Sequence, residues 1–254
     1  MRAGLVYQFS FDVLNPGQSQ AAASVSIQAS GSALFESAAV RIPGLAVVGV
    51  LNGSDPMRVE TPTFLVKAMA QTVPLARYVT TLIVTLMGNV DLRSADGSVI
   101  TITGLEGLQA PSSIRLHTPA GGNGGSDLFC NGSSSNISGM AAYVDGTVKL
   151  YLLKTMPAFE PYIIGFQLVN PPGTVEKGPS VHLSASGTAK FAVQTLDLPN
   201  QVLYGVINGT NPLVRVATDF EKLDIFQTNP ISSLLNSITI ILVPPINLGK
   251  VIDV

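Results

Sequence analysis

Four asparagines carry the clearest chemical signal in this sequence, because each begins an Asn-x-Ser/Thr triplet, the acceptor for N-linked glycans. They are Asn52, Asn131, Asn136 and Asn208. The triplet is common by chance, but Asn52 and Asn208 each open an Asn-Gly-x-x-Pro run and lie 208 − 52 = 156 residues apart. Asn-Gly is also a favoured turn dipeptide, and turn formation is compatible with glycosylation. We therefore predict covalent N-glycans here and no other cofactor.

Cys130 is the only cysteine, so it cannot form a disulfide within the chain. An odd cysteine in a secreted protein suggests a partner in another chain, which predicts an intermolecular disulfide. The alternative is a small, buried apolar side chain. No other soft ligand lies near Cys130 in the sequence, so we predict no metal site there.

Catalytic groups are scarce. The spacing of 156 residues places Ser26 where His182 stands, so this histidine is not a repeated catalytic base. His117 has no Gly-x-Ser-x-Gly nucleophile motif to serve. The glycine-rich stretch 121–125 carries no lysine and is a poor phosphate loop. We predict no catalytic, cofactor-binding or metal-binding residues, and therefore not an enzyme.

The chain contains one segment twice. Residues 11–16 (FDVLNP) reappear as 166–171 (FQLVNP) at an offset of 166 − 11 = 155, and the offset then becomes 156 after a one-residue insertion. Self-similarity at a fixed period is typical of arrays. It predicts equivalent core positions in the two repeats, namely Phe11 and Phe166, Ile27 and Leu183, Phe35 and Phe191, and Val84 and Ile240.

The ends of the chain also follow the repeat. Met1 and Tyr7 are in register with Met156 and Tyr162, and residues 250–254 resemble residues 98–102. We therefore expect the 254 residues to be a slice of a longer periodic polypeptide. The alternative is a complete two-domain protein whose second domain is shorter.

Short alternating segments bounded by Gly, Pro, Asn or Asp predict β-strands throughout. Two Asp-Gly dipeptides, at Asp96 and Asp145, predict hairpin turns. The stretches 62–71 and 218–227 fit either a short helix or a strand, with strand slightly favoured. The remaining predicted strands are 5–13, 24–29, 38–42, 45–51, 79–87, 89–94, 98–103, 112–117, 140–144 and 147–153.

Many short strands with regular turns indicate an all-β fold of tandem immunoglobulin-like β-sandwich modules. We predict a sandwich at 1–92, a smaller β module at 93–156 and a second copy of the sandwich at 157–248, with 249–254 beginning the next module. The intervening module contains a Gly/Ser/Asn-rich loop at 119–138.

Composition excludes several classes of partner. Charged residues make up only 12%, the net charge is −2, and no basic face is available to neutralise phosphates, so we predict no nucleic-acid partner. Hydrophobic residues make up 46%, but no apolar run approaches the roughly 20 residues of a spanning helix, so we predict no membrane span. A polar surface with few charges suits burial in an assembly or coverage by sugar.

The pattern Phe-x-Phe-x-x-x-Asn-Pro at 9–16, followed by Ser-Val-Ser-Ile-x-Ala-Ser-Gly at 24–31, resembles tandem-repeat extracellular β-sandwich proteins of algae and other protists, which form glycosylated fibres and surfaces. The resemblance covers about thirty residues per repeat, and no catalytic residues carry over. It implies an extracellular or cell-surface location and a structural role.

The expected function is therefore that of a structural, non-catalytic subunit of an extracellular glycosylated fibre or cell-surface appendage. Its expected partners are identical subunits or a continuation of the same repeat chain, forming a homopolymer or filament. The alternative is an adhesin or carbohydrate-binding stalk module that uses the loop 119–138.

Overall fold

A computed structural model describes residues 1–120, 124–133 and 136–248 of the chain. These residues form fourteen β-strands and two single 3₁₀ turns, at Ser94–Asp96 and Ser126–Leu128, with no α-helix. The prediction of an all-β protein is confirmed. No helix within the described ranges is long and apolar enough to cross a membrane. The chain divides into two compact units, Met1–Thr61 and Pro62–Val254.

The first unit contains one hairpin, in which β1 (Ser26–Ala29) pairs antiparallel with β2 (Phe35–Ala39). The register shifts by a β-bulge between Ile27 and Ala29. An isolated bridge between Gln20 and Val59 closes the unit outside the hairpin. Most side chains in residues 1–61 are exposed, and the one buried residue among them is the polar Asp55, so the hairpin encloses no core of its own.

Two strands predicted in the first unit do not form. Residues 5–13 form no strand and pair with none in the described part of the chain, although their alternating pattern is that of a half-buried strand. Residues 45–51 form a tight turn, in which Val47 bridges Val50 and the two residues between them have positive φ. These predictions were wrong because alternation identifies a face suited to burial, whereas a strand also needs a neighbouring edge for its backbone groups.

The second unit is built on one ten-stranded antiparallel sheet. Its strands are β3 (Phe64–Gln71), β4 (Val79–Gly88), β5 (Val99–Thr103), β6 (Ser113–His117), β7 (Phe129–Cys130), β8 (Met140–Val144), β9 (Thr147–Leu152), β10 (Tyr162–Val169), β11 (His182–Ser186) and β12 (Phe191–Thr195). The strand order is β12-β11-β5-β9-β8-β6-β10-β4-β3, and β7 pairs with β9 beside this path. A separate two-stranded sheet follows, formed by β13 (Lys222–Gln227) and β14 (Ile238–Val243).

The large sheet curves until its two edge strands nearly meet. Phe64 on β3 and Phe191 on β12 pack with their ring centroids 4.7 Å apart. A single parallel bridge joins Ala68 to Asp197, just beyond β12. Buried side chains alternate with more exposed ones along several strands of the sheet, as the period of two requires. On β4 the buried apolar residues are Leu82, Val84 and Leu86.

The two Asp-Gly dipeptides behave differently. Asp145 and Gly146 both have positive φ and join β8 to β9, as predicted for a two-residue hairpin. The hairpin predicted at Asp96 is wrong, because 94–96 form a 3₁₀ turn and β5 pairs with β9 and β11 instead. Tertiary pairing therefore displaces the local hairpin here. Both ambiguous stretches, 62–71 and 218–227, contain strands.

The repeat is exact in its local pairing. The hairpin β11–β12 reproduces β1–β2 residue for residue at an offset of 156, including the bulge. The hairpin β13–β14 likewise reproduces β3–β4, since Lys67 pairs with Leu86 and Leu223 pairs with Leu242. We call residues 5–61 and 160–217 the first and second leading segments. We call β3–β4 and β13–β14 the first and second trailing hairpins.

Burial does not follow the repeat. Phe166 is 0% exposed and its equivalent Phe11 is 75% exposed, and Val84 is 0% exposed where Ile240 is 57% exposed. The same contrast separates Leu183 from Ile27 and Phe191 from Phe35. The prediction that both members of each pair occupy core positions is therefore wrong for one member. The physical reason is that the second leading segment packs on the first trailing hairpin. Among the described residues, no strand pairs in this way with the first leading segment or with the second trailing hairpin.

Candidate association surfaces and glycan acceptors

The contact between the second leading segment and the first trailing hairpin is here called the joint. Its centre is β10, which pairs antiparallel with β4 over eight residues, from Tyr162 opposite Leu86 to Val169 opposite Val79. On its other edge β10 pairs with β6. Tyr162, Ile164, Phe166 and Leu168 are all buried. The joint therefore satisfies both the backbone and the apolar face of the strand.

A buried glutamine stabilises the joint through hydrogen bonds. Gln71, at the end of β3, donates from Nε2 to the carbonyl oxygens of Gly209 (2.9 Å) and Val214 (2.5 Å). Its Oε1 accepts a hydrogen bond from the backbone N–H of Leu213 at 3.2 Å. The backbone N–H of Gln71 donates to Thr210 at 2.8 Å. One side chain thus holds the turn at 209–214 against the sheet edge.

A buried asparagine lies directly after the last residue of β10 and stabilises that end of the strand. The Nδ2 group of Asn170 donates to the carbonyl oxygens of Val73 (2.9 Å) and Leu75 (3.0 Å). Its backbone N–H donates to Tyr78 at 2.9 Å, and its carbonyl accepts from Arg77 at 3.0 Å. Arg77 has a φ of 65°, which turns the chain between β3 and β4 toward Asn170. Asn170 therefore ties the loop of the first trailing hairpin to β10.

The equivalent groups elsewhere are exposed. In the first leading segment Phe9 and Phe11 face solvent, and on the second trailing hairpin Ile225 and Ile240 do so. Ser233 has a φ of 64°, matching Arg77, so the second hairpin keeps the turn that receives an asparagine. The polar equivalents Asn15 and Gln227 are exposed as well. Together these residues present the two halves of a joint without their counterparts.

Sequence reasoning missed the roles of Gln71 and Asn170. The repeat aligns Gln71 with Gln227 and Asn170 with Asn15, and an uncharged polar residue retained among apolar ones is the available signal. It does not indicate which member is buried or what it binds. Those facts depend on pairing between segments far apart in the chain.

The acceptors Asn52 and Asn208 occupy the same turn in the two repeats. Both are half-buried with a φ of 55°, and their carbonyls accept hydrogen bonds from the backbone of Asp55 and Asn211. The hydroxyl group of each triplet also closes its turn. Ser54 Oγ accepts from the N–H of Leu45 at 2.8 Å, and Thr210 Oγ1 accepts from the N–H of Gln201 at 2.9 Å. Turn formation therefore explains these residues, and glycosylation stays a prediction.

The remaining acceptors lie beside the cysteine. Asn131 is half-buried, and its Nδ2 group donates to Ser113 Oγ at 2.8 Å. Asn136 is exposed, and its Oδ1 lies 3.6 Å from the sulfur of Cys130. Cys130 is 2% exposed on β7. Its burial matches the alternative of a small core residue, and the intermolecular disulfide stays a prediction.

The described residues outside the joint form no catalytic constellation. His117 lies across β10 against Gly165, and His182 lies 3.4 Å from Thr195 Oγ1. Hydrogen bonds from Thr188 and Arg93 hold the pKa of Asp96 below its usual value. No group of three or more His, Cys, Asp or Glu side chains within the described ranges could hold a metal ion. Residues 121–123 of the glycine-rich stretch lie outside these ranges.

One ion pair joins Asp127, which lies within the predicted loop 119–138, to Lys154, and its Oδ2 and Nζ atoms are 2.5 Å apart. The hydrogen bond from Lys154 lowers the pKa of Asp127. Both side chains are more than half exposed, so the pair contributes little to stability.

Comparison of the chain with models of known protein families gave no match. Comparison with curated protein sequences gave none either.

Proposed function

We propose that this protein is a structural, non-catalytic subunit of an extracellular glycosylated fibre or cell-surface appendage. It assembles with identical subunits, or with a continuation of the same repeat, through tandem β-sandwich modules. The proposal includes N-glycans attached to the chain and no cofactor.

The joint carries this proposal. Two halves of a repeat that lie in different parts of the chain complete one sheet, while the matching halves at 5–61 and 222–243 stay exposed. Contacts between unlike surfaces of a repeated unit generate an open filament when the rotation from one unit to the next does not close, and a ring when it does. The same pairing, continued from unit to unit, would produce a linear array.

The composition supports self-association. Exposed strand edges are normally protected from pairing by charges, prolines or coverage. Charged residues make up only 12% of this chain, and β14 has none in the sequence Ile238–Val243. Little therefore opposes edge-to-edge contact between copies.

The assembly itself is testable by light scattering and electron microscopy of the purified chain. We expect particles heavier than the 26.5 kDa chain that grow with concentration between about 1 and 100 μM, the range of Kd spanned by weak to moderate contacts. Ile240→Lys should suppress them because it places a charge in the apolar face of β14. The matched control Val144→Lys changes a similarly exposed residue outside both surfaces. A monodisperse monomer throughout this range would refute the proposal.

Glycosylation is tested separately by peptide mass spectrometry after secretion from eukaryotic cells. We expect glycans at Asn52 and Asn208, which lie in equivalent turns, and at Asn131 or Asn136. Of the last two, exposed Asn136 is the better acceptor because the amide nitrogen of Asn131 is hydrogen-bonded. Unmodified asparagine at all four positions would contradict this prediction.

A further inference from the structure

We infer that residues 5–13 of one chain add as a β-strand to the free edge of β14 in a second copy of this chain, with Tyr7 opposite Leu242, Phe9 opposite Ile240 and Phe11 opposite Ile238. The inference rests on the proposed function and names the surfaces and the register through which the copies would join.

The register comes from the joint. There Tyr162, Ile164 and Phe166 lie opposite Leu86, Val84 and Leu82. Subtracting 155 from the β10 residues gives Tyr7, Phe9 and Phe11, and adding 156 to the β4 residues gives Leu242, Ile240 and Ile238. The partner hairpins already share their internal register, so β14 presents the same ladder of backbone groups as β4.

Residues 5–13 and β14 each expose a row of apolar side chains that this pairing would cover. The first leading segment carries apolar side chains at alternate positions, and all of them are exposed: Leu5, Tyr7, Phe9, Phe11 and Val13. Ile238, Ile240 and Leu242 alternate along β14 and are exposed too. Side chains directly opposite each other in an antiparallel pair lie close enough to pack. Adding the segment would cover both apolar rows at once.

The residues that hydrogen-bond with Gln71 in the joint have repeat equivalents in the proposed contact. The equivalents of Gly209, Leu213 and Val214 are Gly53, Met57 and Arg58. In the second copy, Gln227 Nε2 would donate to the carbonyls of Gly53 and Arg58, and its Oε1 would accept from the N–H of Met57. Gln227 Oε1 already accepts from Asn236 at 2.9 Å, and an amide oxygen has a second lone pair for another donor.

Asn15 would supply a second set of side-chain hydrogen bonds across the contact. Its equivalent Asn170 donates to Val73 and Leu75, whose counterparts are Asn229 and Ile231. The turn that receives it is preserved, because Ser233 shares the positive φ of Arg77. A protein of unrelated sequence could add a strand to an exposed edge through backbone bonds alone. Residues 7–15 of this chain match β14 in the apolar row, the asparagine and the receiving turn together, because they are the repeat equivalents of residues 162–170. This match favours a second copy as the occupant.

Disulfide trapping tests the register in the full chain. Each variant carries Cys130→Ala, so that the introduced cysteine is the only thiol. One chain carries Phe9→Cys and the other Ile240→Cys, and a second mixture combines Gln8→Cys with Ile241→Cys. Antiparallel pairs alternate between two spacings, so at least one of these neighbouring pairs has the closer geometry. The control mixture combines Phe9→Cys with Ser237→Cys, which lies three residues, or about 10 Å, from the predicted partner.

We expect one or both predicted mixtures to form a covalent dimer about tenfold faster than the control, since bridged Cα atoms must lie within about 7 Å. Gln227→Leu should weaken the association measured by light scattering by about tenfold, the loss expected for a hydrogen-bonded side chain. Gln167→Leu, which changes an exposed glutamine on β10, should leave it unchanged.

The outcomes separate this inference from the proposed function. Assembly in light scattering without preferential cross-linking would overturn the register and leave the fibre proposal standing. A monomer that forms no cross-link would overturn both. A chain carrying Phe9→Cys and Ile240→Cys together that closes on itself, at a rate independent of concentration, would overturn the second copy as the partner.

Discussion

Phe166→Ala should lower the free energy of unfolding of the second unit by about 3–5 kcal/mol, the usual cost of removing a buried phenylalanine ring. Phe166 is fully buried on β10 and lies opposite Leu82 in the joint. Its loss removes apolar contacts and leaves a cavity between two strands that are far apart in the chain. Urea denaturation at about 1 μM measures the change, at a concentration where weak association contributes little.

The repeat supplies the matched control for this substitution. Phe11→Ala removes the same ring from the equivalent position, where it is 75% exposed, so the free energy of unfolding should change by no more than about 0.5 kcal/mol. The two variants differ only in whether the segment has a partner strand. Equal losses at Phe11 and Phe166 would contradict the unequal burial of the two leading segments.

Gln71→Leu should cost about 2–5 kcal/mol of the same free energy. The substitution removes the side-chain partners of Gly209, Leu213 and Val214 together. An unpaired buried backbone group costs about 1–3 kcal/mol, and partial relaxation of the turn reduces the sum. Urea denaturation again gives the magnitude. Hydrogen exchange of the Leu213 amide should also become faster, because its acceptor is gone.

Gln227→Leu is the control, since Gln227 is the repeat equivalent of Gln71 and is exposed. At about 1 μM it should change stability by less than about 0.5 kcal/mol.

Protection of the Leu213 amide that survives Gln71→Leu would show that the turn at 209–214 is held by other contacts. The role assigned to Gln71 would then be wrong.

Phe11 and Gln227 are controls in the isolated chain, and both also lie in the contact proposed between two copies. Substitutions that leave the isolated chain unchanged should then reduce the size of the assembly at high concentration. Stability at low concentration and association at high concentration therefore report on different contacts. A residue that affects only the second quantity belongs to a surface between copies.

The sequence by itself determined the all-β class and the local pairing of the repeats. Period-two alternation and turn dipeptides involve residues only a few positions apart, which is why the turn at Asp145 and the strands β6, β8 and β9 were predicted closely. The offset of 156 also predicted which residues are equivalent, and the hairpins follow it residue for residue. Local geometry repeats because the residues that set it repeat.

The tertiary structure alone decided which equivalents are buried. The joined strands β4 and β10 are separated in sequence, with Leu86 and Tyr162 lying 162 − 86 = 76 residues apart. Phe11 and Phe166 carry the same side chain in the same local pattern, and only the second has a neighbouring edge. Burial depends on the partner surface as much as on the segment, so alternation predicted a half-buried strand at 5–13 where none forms. For the same reason Gln71 and Gln227, alike in sequence, differ in every contact that gives the first its role.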